Sequence, residues 1–431
     1  MNKSPKYILV ADYVPLANKG EEAIIRGIED IFQDERPIKI GLFDNVSEVV
    51  QKNNITIFPA KWIYRLSGKS YPFCKKLFKE FIISLQMRLG YYSILNNLTS
   101  SSYSQYQSLN DFFQKAEIIL AGHNGGFCLE TCGVIHLSKK FGKYAGILGS
   151  GIGISGLRRF YLSWIFRRTM EESDFFTFRE HFSYESMKKI CKTPDKLILA
   201  PDPAFAMQPA AASEAHKVLQ SYQSYRDAVQ EGKIIIAVTV REKGITYRYS
   251  FIDAEPESKW RVHAEFLGRI LDNLIKERHA LIIFLPHSIE KDSSDIDAAR
   301  HVAQAMHSGS ENYIIIDKDL EARVLKSIIK ECDFLVGERA HSAIGAVSVA
   351  TPFVILTNIL DLRTHGIIGD MCGCEDLIFN MERPDFEITQ ARILDCFNKR
   401  KDIKHKLEET GIELVGKLTQ TADYIQRHTV D

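Results

Sequence analysis

The run Asp333-Phe-Leu-Val-Gly-Glu338-Arg339-Ala340-His341-Ser342, with the small and apolar residues Ala343 to Ala350 after it and then Thr351-Pro352-Phe353-Val-Ile-Leu356, constrains this chain more than any other stretch. Phe334-Leu335-Val336 is apolar and strand-length. Ala343 to Ala350 is long enough for about two helical turns and is stopped by Thr351-Pro352, after which Phe353 to Leu356 resumes a buried strand. A strand, short helix and strand of this kind form a parallel βαβ unit. The loop after its first strand then lies at the carboxyl edge of the sheet, where open α/β folds bind ligands. Arg339 and His341 sit in that loop. Ser342 is a good N-cap for the short helix, so backbone N–H groups and a positive dipole end would face the same space. Read locally, this is an anion site with a titratable imidazole beside it. It is equally well read as Arg339 paired with a structural carboxylate such as Glu338, with His341 capping a helix.

The same alternation fills the chain. Lys6 to Ala11 reads as a strand, followed by the loop Asp12 to Gly20 and a helix from near Glu21 to about Phe32; Ile38 to Phe43 is the next strand. Glu117 to Ala121 runs into Gly122-His123-Asn124-Gly125-Gly126, Tyr144 to Leu148 into Gly149-Ser-Gly-Ile-Gly153, and Asp174 to Phe178 into Arg179-Glu180-His181. Lys196 to Ala200 ends at Pro201-Asp202-Pro203. After a connecting stretch the pattern restarts: Lys233 to Val240 stops at Arg241-Glu242-Lys243, a helix spans about 260–278, Ala280 to Leu285 stops at Pro286-His287-Ser288, and Tyr313 to Ile316 leads through a helix near 320–330 to the opening run. Arg241, His287, Arg339 and His341 therefore all fall just beyond strand ends, and a shared sheet edge predicts that they converge. The Gly-x-Gly-x-x-Gly fingerprint is absent after the first strand, so NAD or FAD binding is not supported. Glu21 and Glu22 suit a helix N-terminus and are also candidates for an acid/base pair.

A length of 431 residues exceeds one ordinary core and suggests two domains. The pattern divides them as 1–205, a first Rossmann-like domain; 206–231, a linker; 232–385, a second Rossmann-like domain; and 386–431, helices free to pack back on the first domain. Lys plus Arg equals Asp plus Glu, 55 each, so no global field recruits nucleic acid. Eight scattered cysteines make neither a disulfide framework nor a zinc site, and no metal is expected. No run approaches a transmembrane span of about 18 apolar residues, so a cytoplasmic location is expected. Between 61 and 88, seven Lys/Arg stand against one Glu, mixed with aromatic residues. That mixture across 60–98 suits peripheral contact with an anionic inner membrane face, or an amphipathic insertion packed on the domain.

Asn18-Lys-Gly20-Glu21-Glu22-Ala-Ile-Ile25, Gly122 to Gly126, Gly149 to Gly153, Arg179-Glu180, Asp202-Pro203, Val240-Arg241 and Gly337-Glu-Arg339-Ala-His341 resemble, in order, the landmarks of the polysaccharide pyruvyl transferase family. Glu21 replaces the family's usual Asp, and Arg363-Thr-His365-Gly366 stands where a Lys near a Gly is common. The resemblance implies a GT-B-like α/β fold, two Rossmann-like domains facing a central cleft, the first (1–205) on the acceptor side and the second (232–385) on the donor side. It implies transfer of pyruvate from phosphoenolpyruvate, used as donor substrate without any cofactor, to a sugar of a surface polysaccharide or its lipid-linked oligosaccharide precursor as a cyclic ketal, with release of phosphate. Forked guanidinium groups match the donor's carboxylate and phosphate. Under this resemblance His341 is the general acid or stabilises the departing phosphate, Arg339 and Arg241 hold the donor, and Glu22 orients or deprotonates the acceptor. Lys243, His287, Arg179, Asn18, Gly20, His123, Asn124 and Ser342 complete the candidate binding residues. Two other readings stay open: a GT-B glycosyltransferase using a nucleotide sugar, and a catalytically silent sugar- or lipid-binding relative.

Overall fold

The computed structural model describes residues 7–12, 14–32, 37–44, 46–52, 54–59, 107–122, 129–151, 167–241, 255–290 and 293–428. The candidates Lys243, His123 and Asn124, and the basic-aromatic stretch 60–98, lie outside them. By its internal contacts the chain divides into two compact units: Met1–Pro15, Glu29–Asp202 and Leu418–Asp431 form the first, and Leu16–Ile28 with Pro203–Lys417 form the second.

In the first unit the strands are β1 (Tyr7–Val10), β2 (Ile38–Asp44), β3 (Val50–Lys52), β4 (Ile55–Pro59), β5 (Ala116–Ala121), β6 (Tyr144–Ser150), β7 (Phe175–Phe178) and β8 (Leu197–Leu199). Among the described residues they form one sheet in the order β3-β4-β2-β1-β5-β6-β7-β8. Every pairing is parallel except the edge pair β3 and β4. Strands such as Ile8-Leu9-Val10 and Ile118-Ile119-Leu120 are apolar at successive positions because helices, among them Gln107–Lys115 and Leu129–Lys140, leave neither sheet face to water. The chain runs outward one way from β1 and the other way from β5, so the strand order reverses between these two. Their ends are tied together: buried Asp12 accepts the Gly122 N–H at 2.7 Å and the Thr131 hydroxyl at 3.0 Å. Gly122 has φ +95° there, and a Cβ on it would collide with Ile147, so the turn needs glycine.

The second unit contains β9 (Ile234–Val238), β10 (Ala280–Phe284), the small hairpin β11 (Ile289–Glu290) and β12 (Ser293–Ser294), β13 (Tyr313–Ile315), β14 (Phe334–Gly337), β15 (Phe353–Thr357) and β16 (Ile378–Asn380). Its main sheet is wholly parallel in the order β13-β10-β9-β14-β15-β16. The order reverses between β9 and β14. Open α/β sheets bind ligands at such a reversal, beyond the strands' carboxyl ends. Arg241 follows β9 and Arg339 follows β14, so this topology puts the two arginines on either side of it. The helix Pro256–Arg278 opens on a proline in its first turn and buries Trp260, Ala264, Leu267, Ile270, Leu271 and Leu274 against the sheet.

Sequence order assigns residues 16–28 to the first domain; their contacts assign them to the second unit. Asn18 forms an antiparallel bridge with Ser288, the Lys19 N–H donates to His287 O at 2.9 Å, and the Ile289 N–H donates to Ala17 O at 3.1 Å. Gly27 lies so close to Pro203 O that a side chain has no room. The buried Lys19 ammonium donates to Leu16 O at 3.2 Å and meets Glu22 at 3.3 Å and Asp319 at 2.5 Å. Thus the helix Lys19–Phe32 begins in one unit and ends in the other. The C-terminal helix Arg400–Arg427 is likewise divided, with Leu418 onward in the first unit. Among the described residues no helix is long and apolar enough to cross a membrane.

Candidate functional site

The short helix after β14 starts earlier than its sequence suggests. It spans Ala340–Ser348 with Arg339 as the extended N-cap residue, at φ −110° and ψ 123°. Ser342 is therefore inside the first turn and is not the cap. Its hydroxyl donates back to Arg339 O at 2.6 Å and meets the Thr239 hydroxyl at 2.9 Å, which stitches the exits of β14 and β9 together. Fully buried, Ser342 supports the loop and does not face a ligand.

Starting the helix at Ala340 puts His341 in its first turn, against the first turn of the helix Lys19–Phe32. Gly20 lies there, and a Cβ on Gly20 would fall inside the van der Waals radii of His341 Nδ1 and Cγ. The bare backbone of Gly20 is thus the seat of the imidazole. Asn18 caps the same helix, its Oδ1 accepting the Gly20 N–H at 3.1 Å, and its amide donates to Glu21 Oε1 at 3.4 Å. Two helix N-termini therefore approach one place.

That place is a cavity of about 120 Å³ lined by Asn18, Gly20, Glu21, Arg241, His287, Ser288, Arg339, Ala340, His341 and Arg363, all of the second unit. The expected convergence of Arg241, His287, Arg339 and His341 is observed, with Asn18 and Gly20 beside them. Three guanidinium groups and the ends of two helices face one carboxylate, Glu21, so the cavity favours an anion. Its size is well below the ~300–1,000 Å³ of sites that hold drug-sized ligands.

Each cation is held from behind. Arg339 Nε donates to Asp295 Oδ2 at 3.1 Å and its Nη2 to Oδ1, a two-pronged pair with the acid buried and the guanidinium partly open. Asp295 Oδ2 also accepts the backbone N–H groups of His287 and Ser288, each at 2.9 Å. Burial pushes the Asp295 carboxyl up from its ordinary value, with Arg339 and the two N–H groups pulling against that shift. His287 is pushed down to about 4 by burial, aided by the neighbouring charges of Arg339 and Lys19, so its imidazole is neutral near pH 7. Arg241 gives its backbone N–H to Glu338 Oε2 at 2.8 Å. Arg363 lies close enough to Asp361 that its charge, with bonds from Thr364 and Thr357, outweighs burial and lowers that carboxyl.

Three expected site residues stand elsewhere. Glu22 does not line the cavity: it is one residue, and so about 100° of helix, past Glu21, and its carboxylate takes a bond from Lys19 at 3.3 Å and another from the Ala322 backbone. Burial raises its pKa. Arg179 belongs to the first unit and is fully buried, with Nη1 donating to Asp202 at 2.5 Å, away from this cavity's lining. Ser342 is a support, as above. Sequence reasoning missed Asp295, Arg363 as a lining residue, and the choice of Glu21 over Glu22. Asp295 carries no signal of its own: Ser294-Asp295 reads as an ordinary helix start, and no sequence spacing links it to Arg339.

The family model for polysaccharide pyruvyl transferases matches residues 18–359. No curated protein matches the chain. Among solved structures, α,α-trehalose 6-phosphate synthase from Burkholderia multivorans superimposes with a TM-score of 0.56 at 10% identity, covering 99% of each chain. The UDP-forming α,α-trehalose-phosphate synthase from Burkholderia xenovorans, solved with glucose-6-phosphate, gives 0.57 at 10% identity over 99% of this chain and 100% of its own. At such identity the likeness shows the fold alone. It is the GT-B fold.

Proposed function

Because the chain belongs to the polysaccharide pyruvyl transferase family, we propose that its small cationic cavity takes phosphoenolpyruvate and that the protein transfers pyruvate from it to a sugar of a surface polysaccharide or a lipid-linked precursor. The observation that carries this reading is the meeting of Arg241, Arg339, Arg363 and His341 around about 120 Å³. A donor with two anionic groups on three carbons suits that volume and charge.

The chemistry follows from the groups present. Arg339, prongs fixed by Asp295, and Arg241, backbone fixed by Glu338, bind the donor's carboxylate and phosphate with little reorganisation. His341 protonates the methylene carbon of the enol ester, which leaves an oxocarbenium-like centre. One acceptor hydroxyl adds to that centre and gives up its proton. A second hydroxyl then displaces phosphate, and its proton leaves with the phosphate or a base, so that two hydroxyls and one phosphoenolpyruvate yield one ketal and one inorganic phosphate. Glu21, the carboxylate facing the cavity, takes the acceptor-orienting part expected of Glu22. Neutral His287 lines the same cavity as a hydrogen-bonding group.

The test is phosphate release from phosphoenolpyruvate with a panel of lipid-linked or arylated hexosides, run beside Arg339→Ala and His341→Ala. Release that needs both the acceptor and these side chains supports the reading. Calorimetry in which phosphoenolpyruvate fails to bind while a nucleotide sugar binds would replace it with glycosyl transfer. Contact of 60–98 with an anionic membrane is part of the same proposal. Liposome flotation checks it: protein that never floats with anionic vesicles removes it, and floating protein should sink when Lys75, Lys76 and Lys79 are neutralised.

A further inference from the structure

Behind Arg241 stands a buried acid and imidazole that no ligand in the cavity can touch. Glu338 Oε2 accepts the Arg241 N–H, while Oε1 lies 2.6 Å from Nε2 of His263. The two side chains are 1% and 0% exposed. The Glu338 N–H in turn donates to Thr239 O at 3.0 Å and to the Thr239 hydroxyl at 3.1 Å. One carboxylate therefore spans the exits of β9 and β14, the two strands between which the sheet order reverses.

His263 comes from the helix Pro256–Arg278, whose other inward residues are apolar. Its ring is backed by Trp260, with centroids 5.4 Å apart and planes at 35°, and the Trp260 indole N–H is anchored on His301 Nδ1 at 2.9 Å. The imidazole is thus gripped on one side by an indole and on the other by the carboxylate. Apolar residues of similar volume would fill this space at least as stably, since a buried polar pair loses hydration that its mutual attraction barely recovers. What apolar residues cannot do is hold the Arg241 N–H. A main chain fixed at Arg241 fixes where its guanidinium stands.

We propose that His263 is a positioning residue of the donor site, acting through Glu338 to set Arg241; the proposal rests on the reading of the cavity as the phosphoenolpyruvate site. It makes the helix Pro256–Arg278, which contributes no lining residue, part of the donor-binding apparatus.

The experiment is a cycle of phosphoenolpyruvate affinities, measured by calorimetry on the full chain. Wild type is compared with His263→Leu/Glu338→Leu, with Arg241→Ala, and with all three changes together. The paired leucines strand no buried charge, so the protein is expected to fold, and circular dichroism and a thermal melt check it. Expected is a loss of about tenfold or more in affinity from the paired leucines, with KM for the acceptor unchanged, and almost none of that loss once Arg241 is already alanine. His263→Gln, which keeps an N–H for Glu338, should recover affinity to within about threefold of wild type. A folded leucine variant that binds like wild type overturns the proposal, and so does a loss that persists undiminished in the Arg241→Ala background. If the leucine variant does not fold, His263→Asn, whose shorter amide does not reach Glu338, takes its place in the cycle: a loss that vanishes with Arg241→Ala supports the role, and no loss overturns it. Wild type that binds no phosphoenolpyruvate overturns the donor reading and this assignment together, which separates the two failures.

Discussion

Arg179 and Arg339 both stand just past a strand end, and both pair with an aspartate, yet they occupy opposite situations. Arg179 and Asp202 in the first unit are each 0% exposed, and the pair has no face toward a ligand. Arg339 and Asp295 in the second unit are 15% and 2% exposed, so the acid is sealed in while the guanidinium reaches a cavity. What a pairing does thus depends on which side of it is left open. In the first case both charges are sealed from water together. In the second the carboxylate orients a cation whose remaining donors face open space.

The largest way to test that contrast is through stability. Removing one partner of a fully buried pair strands the other, so Arg179→Ala should cost about 3–5 kcal/mol in urea unfolding, with phosphoenolpyruvate affinity of the folded fraction unchanged. Affinity that collapses without a change in stability would move Arg179 back among the site residues. Arg339→Ala should do the reverse in kinetics. Loss of its preorganised donors is expected to lower kcat/KM by about 10²–10³-fold, on the scale of an oxyanion-site donor.

The surroundings of the second pair also titrate. His287 has its folded pKa at about 4, below the unfolded value near 6.5. The unfolded chain therefore binds a proton more readily between those values, and the stability that neutral His287 supplies is full above about pH 6.5 and lost as pH falls toward 4. The lost contribution approaches roughly 3 kcal/mol. Urea midpoints at pH 7 and pH 4.5 should differ less in His287→Gln than in wild type; equal differences would remove His287 as the titrating group.

The smallest expected effect is the most local. Gly20→Ala pushes a methyl into the His341 ring, which can swing aside because it is a side chain and not backbone. Turnover should fall about 10–10²-fold through misplacement of the imidazole, with a melting temperature close to wild type. A variant with full activity would mean that His341 needs no fixed seat.

The parallel strands and their exits were legible because apolar runs stopping at glycine or charge are what a doubly covered sheet requires. Arg241, His287, Arg339 and His341 followed from that alone: four loops on one edge must meet. What could not be read were choices that depend on rotation or on partners from other elements. Glu21 and Glu22 are equivalent to the eye, and only the docking of the helix Lys19–Phe32 on residues 287–289 decides which one faces the cavity. Ser342 looked like a cap because serine caps helices well, but the bond from Ser342 to Arg339 O let the helix begin two residues before it. Asp295 and His263 lie on helices with no local signal of function, and their meaning comes from residues 44 and 75 positions away in sequence.

The division of the helix Lys19–Phe32 between the two units has a consequence for the order of synthesis. Asn18, Gly20 and Glu21 leave the ribosome well before the segment they pair with, around Ser288, which follows about 270 residues later. The cavity wall is therefore a non-local contact that no early fragment can make, and contacts of such separation form late. A fragment of residues 203–417 would have its sheet and all three arginines, yet it would lack the glycine against which His341 rests. An independently expressed second unit should accordingly carry residues 16–28 fused to it, and the nascent chain must keep that amphipathic segment available until its partner has been made.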